Sequence, residues 1–565
     1  MMIVFRRGGP LAMPGAGNNR AQASSYHIMW RLFTTIAICA LVCAAFCEAQ
    51  DDAAHSNAAL QAAAPGVAAP FEMPAWPMPA NAVDAPVLSE LRARNIKPAN
   101  PCSDAVFIRR AHLDVIGTLP DLREVREFLA DRRPGKRAAL VDRLLERDEF
   151  ADYWAMKWGD VLRVKAEFPI NLWPNAVQAY HRWIRDAVRN NMPYDQFARA
   201  LLTSSGSNFR EPPVNFYRAV QGRDAAAIAD AVALTFMGAR RASWPGDRQA
   251  GMTSFFSRIL YKQTIEWKEE IVCMNPSPAT GIESVFPDGG PARIVPGQDP
   301  RRVFADWLIT PTNEWFARAA VNRVWAWLFG RGIVHEPDDI RQDNPPANPG
   351  LLACLEKEFV DARFDLRTLL RLVLNSRTYQ QSSIPRTDTP EAEALFAFYP
   401  VRRLDAEVLI DALNWIAGGA GEKYTSEIPE PFTFIPDTHR TIALADGSIT
   451  SPFLEMFGRP PRDSGLASER NNLPTDDQRL YLLNSSEVQR KLQRSRHLRA
   501  VTGLTAGNRQ GTIRWIYLLL LSREPMPEET ATAGRYFQSG ALNTQDAVND
   551  LAWALINSKE FLYRH

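Results

Sequence analysis

The sequence lacks the features that mark several specialised classes of protein. Its 65 basic residues nearly balance its 64 acidic residues, which leaves a formal net charge of +1. A chain without an excess of one sign has no overall field that attracts nucleic acid, so no nucleic-acid partner is predicted. The 565 residues are 46% hydrophobic and 23% charged, which excludes a mainly disordered chain, a collagen and a multi-span membrane protein. The balance is typical of a globular protein with two or more domains.

Cysteine is also scarce, with six residues in the whole chain. Three lie in or beside one early apolar run and three are far apart in the body: Cys39, Cys43, Cys47, Cys102, Cys273 and Cys354. The last three contain no C-x-x-C pair and allow one bridge at most. The sequence therefore predicts no disulfide framework.

Several catalytic motifs are missing as well. The chain has no G-x-S-x-G, no Walker loop and no G-x-G-x-x-G in a strand–helix setting. Neither His112 nor His181 has a second histidine three or four residues away, so the helical zinc pattern is absent. No metal site is predicted.

A short apolar run near the N-terminus is the first positive feature. Residues 32–46 carry no charge and follow Arg31. This run is short for a membrane span and fits the apolar core of a secretory signal. Cleavage near Ala49 removes four arginines and one glutamate, which changes the net charge from +1 to −2. An uncleaved anchor is the alternative, and either Met1 or Met29 is the true start.

The remaining chain divides by composition. Residues 1–49 are the predicted signal peptide, and residues 50–84 form an Ala/Pro-rich linker that buries little apolar surface. Residues 85–264 and 299–565 space apolar side chains three or four apart, which predicts helices. Residues 265–298 contain short β-branched runs among proline and glycine, which predicts a β-rich connector. The predicted fold class is mainly α, with two multi-helical domains and a small β insertion between them.

One helical unit occurs more than once. The segments that end at Phe150, Tyr379 and Phe561 each place apolar residues ten, six and five positions before that aromatic residue. Asparagine is predicted to end the helix and serine to cap the next turn, as at Asn557 and Ser558. A separate prediction places a short strand at residues 441–444.

Two copies of the unit extend upstream. Pro120 and Pro525 are each followed four positions later by a glutamate, Glu124 or Glu529. Proline at the start of a helix and an acid in its first turn are ordinary helix-start chemistry. We interpret the repeat as a packing module.

Long segments resemble two domains known from planctomycetes. The segments RRAHLDVIGTLPDLREVREFLA and YHRWIRDAVRNNMPYDQFARALL resemble the planctomycete cytochrome-like domain. The segment DPRRVFADWLITPTNEWFARAAVNRVWAWLFGRGIVHEPDDIRQDNPP resembles the planctomycete-specific domain that usually follows it. The resemblance covers most of residues 85–500 and implies an exported bacterial protein. Both domains are of unknown function, so it implies no activity.

The sequence differs from its relatives at the position of their haem site. Relatives often carry a C-x-x-C-H motif just after the phrase equivalent to residues 234–238. Covalent haem needs two thiols and an axial histidine. Here residues 238–256 read GARRASWPGDRQAGMTSFF and contain neither cysteine nor histidine. No haem and no other cofactor is therefore predicted.

The densest polar segment supplies a candidate site. Its candidate catalytic residues are Asp338, Asp339 and His335, and its candidate binding residues are Asn322, Arg323 and Arg341. Adjacent acids with a histidine nearby suit a divalent cation or general acid–base chemistry. The same residues also suit a structural ion pair and a capped turn, which is the preferred interpretation.

Tryptophan and arginine supply a second candidate. Arg240, Arg241 and the nearby Trp244 are candidate binding residues for an anionic glycan. Most of the 15 tryptophans follow helical spacing, for which core packing is the alternative.

These observations favour an exported, non-enzymatic binding or scaffold protein in the periplasm or at the cell surface. Its expected partner is another exported envelope protein or a glycan, and membrane contact is expected only through an uncleaved signal. An enzyme that acts on extracellular polysaccharide is the alternative. A degenerate relative of haem electron-transfer proteins is the third hypothesis.

Overall fold

The computed structural model describes most of the chain after the predicted signal. The described residues are 68–276, 281–419, 422–426, 435–436, 438–505, 507–538 and 543–565. They belong to one compact unit. The predicted signal peptide lies outside them. The fold is mainly α, as predicted.

The first helical region precedes strand β2, Ile259–Gln263, in the chain. Their bounds are α1 Asp84–Ala93, α2 Asp104–Val115, α3 Leu122–Ala130, α4 Lys136–Leu145, α5 Asp148–Val161, α6 Pro174–Arg189, α7 Tyr194–Thr203, α8 Asn215–Arg218, α9 Ala225–Val232 and α10 Gly246–Ser254. A π-helical turn, Ala233–Met237, extends α9. Apolar residues at helical spacing form the buried faces of these helices.

Three small antiparallel sheets are present in the described residues. Strands β1 Gly206–Ser207, β2 Ile259–Gln263 and β3 Glu270–Met274 form one sheet in the order β1-β3-β2. Strands β4 Ile282–Val285 and β5 Pro291–Ile294 pair with each other, as do β6 Arg402–Arg403 and β7 Tyr563–Arg564. The small β insertion between the helical regions is thus confirmed.

The second helical region follows β5. Its bounds are α11 Pro300–Leu308, α12 Phe316–Phe329, α13 Pro349–Asp361, α14 Leu366–Leu374, α15 Pro390–Ala394, α16 Ala406–Ala417, α17 Pro452–Met456, α18 Asp476–Asn484, α19 Ser486–Gln493, α20 Arg496–Thr505, α21 Arg509–Leu521, α22 Pro527–Gln538, α23 Thr544–Ile556 and α24 Lys559–Leu562.

The prediction of a strand at residues 441–444 is wrong, because Thr441–Ala443 forms a 3₁₀ turn. The carboxylate of Asp411 accepts hydrogen bonds from the backbone N–H groups of Thr441 at 2.7 Å and Ile442 at 3.1 Å. This contact fixes the turn from a helix that lies far away in sequence.

The two helical regions share one hydrophobic core. On α5, Trp158 is 2% exposed, and its ring centroid lies 5.2 Å from that of Trp327 on α12. Arg109 on α2 is 1% exposed and donates hydrogen bonds to the carbonyls of Leu520 at 2.7 Å and Phe561 at 3.0 Å. Apolar packing and buried hydrogen bonds therefore join the start of the chain to its end.

A buried ionic network reinforces this junction. Asp114 on α2 pairs with Arg402 at 2.7 Å and with Arg564 at 3.0 Å. Arg564 also pairs with Asp405 at 3.0 Å, and Lys157 pairs with Asp405 at 2.8 Å. Burial alone raises the pKa of Asp405, but Lys157 and Arg564 hold that pKa well below its usual range. The Asp405 carboxylate therefore stays charged at neutral pH.

The described part of the predicted linker lies against this body. Glu72 is 6% exposed and accepts hydrogen bonds from Asn100 at 3.1 Å and Arg386 at 3.3 Å. The guanidinium of Arg377 lies over the ring of Trp76, 5.4 Å from its centroid. Residues before α1 are thus packed on the helical body.

Among the described residues, no helix is both long and apolar enough to cross a membrane. Cys102, Cys273 and Cys354 are free thiols. The one possible bridge among these three cysteines is not formed.

Candidate functional site

Asn322, one of the sequence-predicted site residues, holds a loop in place. It lies on α12 and is completely buried. Its side-chain amide donates a hydrogen bond to the carbonyl of Val334 at 3.0 Å and accepts one from the N–H of Val334 at 2.9 Å. Both polar ends of the amide are thus used within the protein.

Arg323 and Asp338 are brought together as a buried ion pair. Their N–O distance is 3.2 Å, and their side chains are 2% and 3% exposed. Arg323 also donates to the carbonyl of Thr235 at 2.6 Å, and Asp338 accepts from the N–H of Ala467 at 2.5 Å. The pair therefore ties α12 to the π-helical turn and to a loop of the second region.

The other acids of this segment lie closer to the surface. Asp339 is 22% exposed and lies 3.2 Å from Arg341, which also contacts Asp343 at 3.4 Å. The side chain of His335 is 46% exposed and faces Glu336 at 3.7 Å. The adjacent carboxylates thus have separate partners, and the structure does not assemble them with His335 into one site.

The second predicted set, at Arg240, Arg241 and Trp244, is partly occupied as well. Arg241 pairs with Asp230 at 2.6 Å, and Trp244 is half-buried against the core. Arg240 is exposed. The charge of Arg241 is therefore already neutralised by its neighbour.

An open groove lies between α3 and α4, and the structure rather than the sequence reveals it. Its volume is about 540 Å³, within the range of ligand-binding clefts. Arg123 and Glu127 line it from α3, and Arg143 lines it from α4, with Phe128 and Leu140 also among its lining residues. We call this feature the α3–α4 groove.

The turn between the two helices sets the shape of this groove. Gly135, immediately before α4, has a φ of 80°, a left-handed conformation that favours glycine. Lys136 donates to the carbonyls of Phe128 at 3.1 Å and Asp131 at 2.9 Å, which caps the end of α3. Lys136 also pairs with Asp104 at 2.6 Å. The end of α3 is thereby anchored to the start of α4.

Glu124 organises the opposite end of α3. It forms a capping box with Asp121, whose N–H it accepts at 3.0 Å. Its second oxygen accepts from Arg147 at 2.8 Å, and Arg147 pairs in turn with Glu149 at 2.7 Å. The Nε2 atom of His112 lies 3.4 Å from Glu124.

These contacts fix the charge of Glu124. Burial raises its pKa, but His112, the N–H of Asp121 and Arg147 together lower the pKa to about 2. Glu124 is therefore ionised at neutral pH and engaged in structural contacts. A general acid needs a pKa much closer to the working pH.

Two arginines in the groove differ from the rest. Within the described residues, Arg123 and Arg143 have no ion pair or side-chain hydrogen bond, and both are exposed. By contrast, Arg147 is paired with Glu124, and Arg133 is paired with Asp131 at 2.8 Å. The groove thus presents two uncompensated cations, one on each wall.

Sequence reasoning identified α3 and α4 only as part of a packing module. Isolated arginines on a helix surface are common, and nothing in their spacing shows that two of them face one cleft. The available signal was the density of cations around the turn, namely Arg123, Arg126, Arg132, Arg133, Lys136 and Arg143.

The comparisons with protein families agree with the domain order. Residues 82–245 match PSCyt2, a protein of unknown function (DUF1549), and residues 300–537 match PSD1, a protein of unknown function (DUF1553). The chain carries a PSCyt2 domain followed by a PSD1 domain. No curated protein and no solved structure matches it. The α3–α4 groove belongs to the PSCyt2 domain, and the segment from Asn322 to Arg341 belongs to the PSD1 domain.

In the ranges that the structure describes, no group of three or more His, Cys, Asp or Glu residues is arranged to hold a metal ion.

Proposed function

We propose that this protein is an exported, non-enzymatic binding protein of the cell envelope, which holds its partner in the α3–α4 groove. The observation that carries the proposal is the pair of uncompensated arginines, Arg123 and Arg143, on opposite walls of an open cleft. Guanidinium groups in such a setting favour a ligand that carries carboxylate or another planar anion. The apolar run at residues 32–46 supports export.

The arrangement of the acids supports a binding role over catalysis. Acid–base catalysis requires a carboxyl or imidazole that exchanges protons near the working pH and reaches the substrate. Glu124 keeps a pKa of about 2 and is held by His112 and Arg147. Asp338 is buried against Arg323. These carboxylates serve the scaffold.

Sedimentation with isolated envelope fragments tests the proposal. The wild-type protein is expected to sediment with envelope fragments of the source organism. The double variant Arg123→Gln/Arg143→Gln is expected to lose about ten-fold or more in apparent affinity, because each lost charge-assisted contact weakens binding. Arg302→Gln, an exposed arginine on α11, is the matched control and is expected to bind normally.

Absence of sedimentation, or equal sedimentation of the wild type and the double variant, contradicts the proposal. Release of soluble sugar from the fragments by the wild-type protein selects the enzyme alternative instead. Arg240→Gln, assayed alongside, shows whether binding depends on the groove or on the second predicted set, Arg240, Arg241 and Trp244.

A further inference from the structure

The two free arginines of the groove lie equally far along their helices from the turn that joins α3 to α4. Arg123 lies seven residues before the end of α3, and Arg143 lies seven residues after the start of α4. With a rise of about 1.5 Å per residue, each lies roughly 10 Å from the turn. The cleft therefore presents one unpaired guanidinium group from each helix to a ligand.

The next level of the groove has the opposite character. Glu127 lies one helical turn from Arg123, about 6 Å along α3. Like the two arginines, it has no ion pair or side-chain hydrogen bond within the described residues. At the matching level of α4 stands Ala139, whose small side chain leaves space beside the carboxylate. The groove thus alternates a cationic level with a level that accepts hydrogen bonds.

This alternation discriminates among anionic ligands. A polymer with a charge on every unit, such as a nucleic acid or a heavily sulfated glycan, brings negative charge against Glu127, which weakens its binding at that level. A chain that carries hydroxyl groups between its carboxylates offers donors to Glu127 and anions to the arginines. Neutral sugars satisfy Glu127 but leave the arginines without an ionic partner.

The floor of the groove argues against a peptide. Phe128 is only 4% exposed, and the ammonium of Lys136 lies over its ring, 4.7 Å from the centroid. Peptide recognition usually depends on a buried apolar or aromatic anchor in a pocket. The floor offers no open pocket for such an anchor at this position.

We infer that the ligand of the α3–α4 groove is an acidic polysaccharide of low charge density, in which uronate carboxylates are separated by hydroxyl groups. Arg123 and Arg143 bind the carboxylates, and Glu127 accepts hydrogen bonds from the hydroxyls and rejects polyanions. This inference rests on the proposed function and names the class of its ligand.

Calorimetric titration of the purified protein with defined oligomers tests this assignment. The probes are oligogalacturonate, the same oligomer with methyl-esterified carboxyls, heparin fragments and poly-glutamate. Oligogalacturonate is expected to bind best. Esterification and Arg143→Gln are each expected to weaken its binding about ten-fold, whereas Arg302→Gln leaves it unchanged.

Glu127→Gln provides the sharper variant, because its expected effects have opposite signs. It removes the repulsion, so heparin fragments are expected to bind several-fold more tightly than to the wild type. Binding of oligogalacturonate is expected to weaken modestly, since a neutral amide accepts weaker hydrogen bonds from hydroxyls. Thermal unfolding of each variant confirms that it is folded.

Each remaining outcome has a definite meaning. Heparin binding at or above the level of oligogalacturonate overturns the low-charge-density assignment. Binding of poly-glutamate alone identifies an acidic peptide and overturns the polysaccharide class, while the binding function stands. If no probe binds but envelope sedimentation still depends on Arg123 and Arg143, only the ligand class is wrong. If that sedimentation is lost as well, the proposed function fails.

Discussion

The repeated unit at the two ends of the fold allows a direct comparison. We call residues 104–150 the N-terminal copy and residues 509–561 the C-terminal copy. In each, a glutamate at the third position of a helix accepts the backbone N–H that precedes that helix. Glu124 accepts from Asp121 at 3.0 Å, and Glu529 accepts from Met526 at 2.7 Å.

Both copies then build the same ionic triad. In the N-terminal copy, Arg147 bridges Glu124 and Glu149. In the C-terminal copy, Arg523 bridges Glu529 at 2.7 Å and Glu560 at 2.6 Å. Glu149 and Glu560 each stand one residue before the closing aromatic residue, Phe150 or Phe561. The acids of the two triads therefore occupy equivalent positions in the repeat.

The arginines, however, come from different positions of the repeat. Arg147 precedes Glu149 by two residues, and Ser558 occupies that place in the C-terminal copy. Arg523 precedes Pro525 by two residues, and Thr118 occupies that place before Pro120. The same pair of acids is thus bridged by arginines from two different positions of the repeat.

Exposure separates the two triads. In the N-terminal copy, Arg147, Glu124 and Glu149 are 33%, 31% and 27% exposed, and Arg147 and Glu124 line the groove. In the C-terminal copy, Arg523 is 4% exposed and lies over the rings of Phe71 and Tyr517, with centroid distances of 5.4 and 5.3 Å. The triad of the C-terminal copy is therefore buried, whereas that of the N-terminal copy is open to solvent.

The largest expected effect is on the closed triad. Arg523→Gln leaves Glu529 and Glu560 close together without a cation, and we expect the free energy of unfolding to fall by about 3–5 kcal/mol. Denaturant unfolding followed by tryptophan fluorescence measures the change, with Arg302→Gln as the control. A loss no larger than that of Arg147→Ser contradicts the contrast between a closed and an open copy.

The pH dependence of Glu124 comes next. Because its folded pKa of about 2 lies below the unfolded value, Glu124 stabilises the protein fully above about pH 4.5. We expect Glu124→Gln to cost about 1–2 kcal/mol at pH 7, after allowance for its partial exposure. The difference from wild type should shrink as the pH falls toward 2. An equal difference at pH 7 and pH 3 contradicts this account.

A smaller loss is expected in the open triad itself. Arg147→Ser removes a partly exposed cation and should cost about 0.5–1 kcal/mol, because solvent screens the pairs with Glu124 and Glu149. The same denaturant experiment measures it. A loss as large as that of Arg523→Gln means that the open triad contributes as much to the free energy of unfolding as the closed one.

The smallest effect tests the correspondence of the two copies. Thr118→Arg is expected to recover roughly half of the stability lost in Arg147→Ser, because it restores a cation from the position that Arg523 uses in the C-terminal copy. The recovered free energy of unfolding is expected to lie within the range for one partly exposed ion pair. The single variant Thr118→Arg is the control. If the double variant is no more stable than Arg147→Ser, the equivalence of the two positions is wrong.

Local features of the fold follow from the sequence. Asn375 and Asn557 donate to carbonyls four residues earlier, and Ser376 and Ser558 accept from the N–H three residues later, as the repeat predicts. The acid positions and the small β insertion were likewise predictable, since capping and strand patterns depend on residues close in sequence.

Features that depend on distant residues were not predictable in this way. The turn at Thr441 is imposed by Asp411, and the pair of Asp114 with Arg564 joins the two ends of the chain. The groove is a consequence of the orientation of two helices, so Arg123 and Arg143 look like any surface arginines in the sequence. Among the contacts of the candidate site, the sequence suggested one in advance, the structural ion pair between Arg323 and Asp338.

Titration of oligogalacturonate into wild type and Arg143→Gln, with the unfolding midpoint of both proteins recorded, tests the central claim most directly. The account predicts an affinity about ten-fold lower in the variant at an unchanged midpoint, because Arg143 is free of structural contacts and available to a ligand. Equal affinity of the two proteins, or no binding by the wild type, would contradict it.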